Sequence, residues 1–152
     1  MGILVKGQLR FPLRTSLVHE PSDARIDTVA PVSSGGDGSR FSPIDLFAAS
    51  VASCGATAMS ICAQRNQIRL HGVRFTVESE TADDPRRVAK LTITHEIDAD
   101  CSDEEFALLV EAAEGCPIRR SIHPDIQVVE SLSRAPRATG EDIAPRRELA
   151  TS

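Results

Sequence analysis

The sequence predicts an α+β fold on three observations. A long, Ala-rich and nearly uncharged run follows a helix-start signal at Ser42-Pro43. Two segments with strand alternation, residues 70–80 and 88–98, flank Asp83-Asp84-Pro85-Arg86, which reads as a hairpin loop. An amphipathic helix pattern then precedes a last apolar strand.

Taken in order, residues 3–19 read as a strand or hairpin arm, and Pro12 argues against a central strand position there. A turn at Glu20-Pro21-Ser22-Asp23 leads to an extended segment over 24–32, then to the loop composition Ser33-Ser34-Gly35-Gly36-Asp37-Gly38. At the helix start Ser42 supplies a cap, Pro43 suits the first helical position, and Asp45 faces the positive end of the dipole. No proline breaks the run to about residue 66, a helix of roughly 35 Å at 1.5 Å per residue. Its first three-quarters has no charged face, so burial on most sides is expected. A chain of 152 residues has little material to wrap it, and a second subunit is expected to help.

In the segment 88–98, Ala89, Leu91, Ile93, His95 and Ile97 share one mostly apolar face. Ser102-Asp103-Glu104-Glu105 is a capping box that opens a helix through Phe106, Leu109, Val110 and Ala113, and Gly115 ends it. Residues 126–132 form the final strand. Beyond Ser133 the composition turns to Pro, Arg, Ala and Glu and periodicity is lost, so a domain over 1–133 and a tail over 134–152 are expected.

Composition narrows the function. With 41% hydrophobic and 26% charged residues this is the make-up of a globular domain. There is no Trp or Tyr and the formal net charge is −5, which argues against nucleic acid as a partner. The longest apolar-rich run, residues 46–63, is interrupted by Ser50, Ser53, Thr57 and Ser60, and no membrane span is expected. The start, MGILVKGQLR, lacks the pattern of a secretory signal, so a cytoplasmic location is expected. In that compartment Cys54, Cys62, Cys101 and Cys116 are not expected to form a permanent disulfide framework, and none forms a C-x-x-C.

Two motifs carry a resemblance. Residues 42–54, SPIDLFAASVASC, resemble the long-helix motif of the OsmC/Ohr family, which ends in a reactive cysteine. Gly115-Cys116-Pro117-Ile118-Arg119-Arg120, ahead of Ile126-Gln127-Val128, is similar to the family's Cys-Pro element. Asp84-Pro85-Arg86-Arg87-Val88 is similar to its hairpin loop, and the likeness spans about residues 5–132. It implies an antiparallel sheet packed around a long central helix, in an intertwined homodimer. It also implies reduction of organic hydroperoxides: Cys54 attacks, and Cys116 resolves the sulfenic acid as a disulfide. No metal or organic cofactor is implied; an external dithiol reductant supplies electrons.

The chemistry agrees with those roles. A thiolate is needed to attack an O–O bond, and the apolar stretch around Cys54 suits a hydrophobic peroxide. Cys116 is placed to cap a short helix starting at Pro117, and with Arg119 and Arg120 near in sequence a lowered pKa is expected for it. Cys54 lies about three turns inside its helix, beyond reach of the dipole. In the family an Arg from the N-terminal region stabilises the thiolate, held by a Glu at the start of the long helix. The Glu position corresponds to Ile44, with Asp45 beside it; the candidate arginines are Arg25 and Arg40, with Arg14 behind them.

For Cys62 and Cys101 buried, inert thiols are the default expectation. Gly35-Gly36-Asp37-Gly38 lacks the following Gly-Lys-Ser/Thr of a phosphate loop and reads as a connection. His19, His71, His95 and His123 are scattered, and surface roles are expected for them. The alternative function is a non-catalytic dimer that binds a small apolar ligand or senses redox state, favoured by Ile44 in place of an acid.

Overall fold

The computed structural model describes residues 2–136. Strands β1 (Val5–Arg10), β2 (Arg14–His19) and β3 (Ala24–Val29) form an antiparallel meander. Pro12 sits in the β1–β2 turn, where its missing N–H costs no ladder bond. Every residue of β1 is exposed, and this sheet leaves Leu4, Val5, Leu9, Phe11 and Ile26 open to solvent.

Helix α1 (Pro43–Asn66) begins as its sequence dictates. Ser42 Oγ accepts the Asp45 N–H at 3.2 Å, and the Asp45 carboxylate accepts the Ser42 N–H at 2.7 Å. This reciprocal box satisfies two donors that the first turn otherwise orphans. Gln67, in the left-handed region at φ 57°, closes the helix by donating its N–H to Ala63.

Strands β4 (Arg69–Asp83) and β5 (Arg86–Asp100) pair as a long antiparallel hairpin. Helices α2 (Asp103–Glu114) and α3 (Pro117–Ser121) follow, and β6 (Gln127–Arg134) pairs with β5. The pairings are antiparallel as expected except at this point, where β6 runs parallel to β5. The chain leaves β5 and crosses back through two helices before re-entering, and a crossover of that kind returns a strand parallel.

The core lies between α1, β5 and α2. Met59, Ala63, Ile97, Leu109 and Ala113 form one buried cluster; Ala48, Val51, Ala52, Leu91 and Ile93 form the other. Fully burying each of the large aliphatic side chains contributes about 1.5–3 kcal/mol. By length and composition alone α1 is apolar enough to cross a membrane, which corrects the reading of its serines as interruptions. Their hydroxyls turn back onto the helix: Ser50 donates to Phe47 O, Ser53 to Ser50 O and Thr57 to Ser53 O. Polarity spent this way leaves the helix surface apolar, and α1 uses that surface to build the core.

Arg134 ends β6 and folds back, donating to Cys101 O, Ser102 O and the Asp103 carboxylate while lying 4.5 Å above the Phe106 ring. From residue 137 the expected tail lies outside the described residues.

Candidate active site

Two elements bring the two expected cysteines together. Cys54 is half-buried on α1, and Cys116 is 2% exposed at the junction of α2 and α3. Both are free thiols, and Cys54 is a direct hydrogen-bonding and charge neighbour of Cys116. Cys116 is the N-cap of α3: its Sγ accepts the Arg119 N–H at 3.4 Å, and Pro117 takes the first helical position.

The electrostatics of Cys116 differ from expectation. Burial pushes its thiol above the usual value of 9.0, and neighbouring Cys54 adds to the rise. The Arg119 and Ile118 N–H groups pull the other way and are outweighed. The expected lowering by Arg119 and Arg120 is therefore corrected. The Arg119 guanidinium pairs with the Glu130 carboxylate, 2.5 Å away. What remains is the cost of charging a sulfur out of water.

Between Arg119 of α3 and His95 of β5 lies a charged group that the sequence reading missed. The Glu130 side chain, 6% exposed, meets Arg119 with one carboxylate oxygen and approaches His95 Nδ1 within 3.1 Å with the other. That second approach is short but lies off the hydrogen-bonding direction of the ring nitrogen. His95 is fully buried, and its Nε2 bonds the Ala52 carbonyl of α1 at 3.0 Å. Gly55 lets the helix come this close: a Cβ there would stand 3.2 Å from the His95 ring. The expected surface role of His95 is corrected accordingly. The signal was present, since alternation put His95 among Leu91, Ile93 and Ile97, and puts Glu130 with Val128 and Leu132.

The other candidates stand apart from the thiol pair. Asp45 spends its carboxylate on the α1 cap. Arg40 donates to Ser39 O and shares with Asp45 a cleft of about 590 Å³ beside Ala48 and Val77. Arg25 pairs with Asp23 on the exposed start of β3, and Arg14 with Asp37. Ile44 joins Phe47, Val88 and Ile126 in an apolar cleft of about 490 Å³. Neither Cys62 nor Cys101 is fully buried. Cys62 lies 3.6 Å from Leu108 O, and Cys101 Sγ receives Arg134 at 3.3 Å. Among the described residues no group of three or more His, Cys, Asp or Glu is arranged to hold a metal ion.

Fold and site together define a class: an α+β protein with two free thiols brought face to face by a long helix and a Cys-Pro turn. A profile of the OsmC-like protein family matches residues 36–131, and the chain belongs to that family. A putative osmotic stress induced and detoxification response protein from Psychrobacter arcticus 273-4 is 36% identical, with a TM-score of 0.80 over 87% of this chain and 97% of that one. An organic hydroperoxide resistance protein OsmC from Legionella pneumophila, described as a predicted redox protein, is 25% identical. Its TM-score is 0.67 over 88% of this chain and 97% of that one. An OsmC-like protein from Mycoplasma pneumoniae, 12% identical, shares the fold with a TM-score of 0.75 over 90% and 99%. No curated protein matches the chain. Members bearing the name of organic hydroperoxide resistance proteins support a peroxide-related redox role for the family.

Proposed function

We propose that this chain is a thiol peroxidase that reduces organic hydroperoxides. The observation that carries the reading is the juxtaposition of Cys54 and Cys116, close enough for one sulfur to shift the titration of the other. As thiolate, Cys54 attacks the terminal peroxide oxygen and the O–O bond breaks. The alcohol leaves with a proton, and Cys54 becomes a sulfenic acid. Cys116 then attacks the Cys54 sulfur, and water departs as the disulfide forms. A dithiol reductant returns both thiols, and the chemistry calls for no metal or organic cofactor.

The same reading includes a homodimer in the cytoplasm. Its support is the apolar side chains of Leu4, Val5, Leu9 and Phe11, which this protomer leaves exposed on β1 and immediately on either side of it. The activating arginine is assigned to Arg25 or Arg40. In a single protomer both are engaged on the surface, so approach from a partner fits this role.

The test is consumption of cumene hydroperoxide by the reduced protein and by Cys54→Ser. Loss of all turnover in the variant is expected; wild-type consumption by Cys54→Ser would overturn the mechanism. One observation favours a second reading, a non-catalytic dimer that binds an apolar ligand or senses redox state. Ile44 stands where an acid is expected and faces an apolar cleft with Phe47 and Val88.

A further inference from the structure

The two cysteines sit on elements of unequal rigidity. Cys54 rides on a helix of 24 residues that forms much of the core. Cys116 caps a helix of five residues, none of them buried, which has far less to hold it. Closing a disulfide demands a narrow geometry, with Cα atoms about 4.4–6.8 Å apart and a fixed dihedral. Something must fix α3 against α1.

Glu130 does this by charge. Its carboxylate takes the Arg119 guanidinium of α3 on one oxygen and faces the His95 ring on the other. His95 in turn bonds the Ala52 carbonyl, two residues before Cys54. A carbonyl only accepts, so Nε2 of His95 carries the hydrogen given to Ala52. Nδ1 then stands 3.1 Å from the Glu130 carboxylate, off its hydrogen-bonding direction. His95 therefore touches Glu130 on one side while it is bonded to α1 on the other. Among the described residues, the charged group that pairs with this carboxylate is Arg119. A buried carboxylate paired with a guanidinium is costly to maintain and strongly orienting once complete.

We infer that Glu130 is a positioning residue for disulfide closure, tying the Cys116 arm to the helix that bears Cys54 through Arg119 and His95. It touches neither sulfur and does not take part in the attack on peroxide. The step it governs is Cys54–SOH plus Cys116–SH giving Cys54–S–S–Cys116 plus water. Only the use of peroxide rests on the proposed peroxidase activity; the clamp itself does not.

The test closes the disulfide by two routes in wild type, Glu130→Gln, Arg119→Met and Arg119→Lys, each first checked for native circular dichroism. In the first route cumene hydroperoxide is added, and trapping of the sulfenic acid separates its formation from closure. In the second, diamide takes two electrons and two protons from the thiol pair, so no peroxide chemistry is involved. Closure by either route is expected to slow about tenfold to 100-fold in Glu130→Gln and Arg119→Met. Sulfenic acid formation is expected to stay within about twofold, because α1 keeps its core contacts. Arg119→Lys keeps a cation for Glu130 and should recover much of the rate. Should Glu130→Gln fail to fold, the Arg119 pair decides alone: equal closure in Met and Lys variants overturns the clamp. Wild-type closure rates in a folded Glu130→Gln overturn it as well. Normal diamide closure in wild type with no peroxide consumption would instead overturn the peroxidase reading and leave the clamp to stand on the variants.

Discussion

Cys54 presses upward on the pKa of Cys116, and it does so from another helix, more than sixty residues away in the chain. Two sulfurs that influence each other in this way are in position to react. Burial, the larger cause of the rise, also keeps Cys116 a thiol until its partner has been oxidised.

Removing the second sulfur is expected to uncouple oxidation from recovery. Cys116→Ser should consume about one equivalent of hydroperoxide and stop, since no thiol remains to condense with the sulfenic acid. Mass spectrometry under excess peroxide should then find sulfinic acid on Cys54. Sustained turnover by this variant with a dithiol would show that Cys116 is not needed for resolution.

The raised pKa of Cys116 sets the pH dependence of closure. Only the thiolate attacks, so the closure rate should climb with pH, about tenfold per unit, until the thiol titrates above 9.0. The sign for stability is opposite. A thiol that holds its proton more tightly when folded stabilises the protein below its unfolded pKa, and that contribution is lost as pH rises through the folded value. Melting temperature should therefore fall from about pH 9 upward, and Cys116→Ser should flatten the fall.

Gly55 is expected to resist improvement. An alanine there gains about 1 kcal/mol of helix propensity. Its Cβ would stand 3.2 Å from His95 Cε1 and 3.7 Å from the Ala113 Cβ. His95 is pinned between Ala52 and Glu130 and has no room to give. Overpacking costs about 1–3 kcal/mol, so Gly55→Ala should be neutral to destabilising in a denaturant titration. A gain near 1 kcal/mol would mean that the His95 contact is loose.

Leu109 reports on the packing of α2 over α1. It is fully buried beside Met59, and Leu109→Ala should lower unfolding free energy by about 2–5 kcal/mol. A loss below about 1 kcal/mol would place α2 outside the cooperative core.

Much of the fold was legible because its signals are local. Ser42-Pro43-Ile44-Asp45 and Ser102-Asp103-Glu104-Glu105 start helices where they stand, and both capping boxes form. The alternation of β5 gave its inward face, with Leu91, Ile93 and Ile97 buried. The direction of β6 was not legible, since strand pairing depends on where the crossover returns the chain. His95 and Glu130 were half-legible. Period-two alternation points both inward, but their partnership comes from neighbouring strands brought together only by folding. The pKa of Cys116 misled for a related reason. Nearby arginines in sequence suggested activation, while burial and the direction of Arg119 are tertiary facts.

The most direct test is a single turnover. Fully reduced protein is mixed with one equivalent of cumene hydroperoxide in a stopped-flow cell, quenched with an alkylating agent, and digested for mass spectrometry. Rapid consumption with a peptide pair joined through Cys54 and Cys116 is the expected result. Unconsumed peroxide with both thiols alkylated would contradict the peroxidase reading and leave ligand binding as the function to pursue.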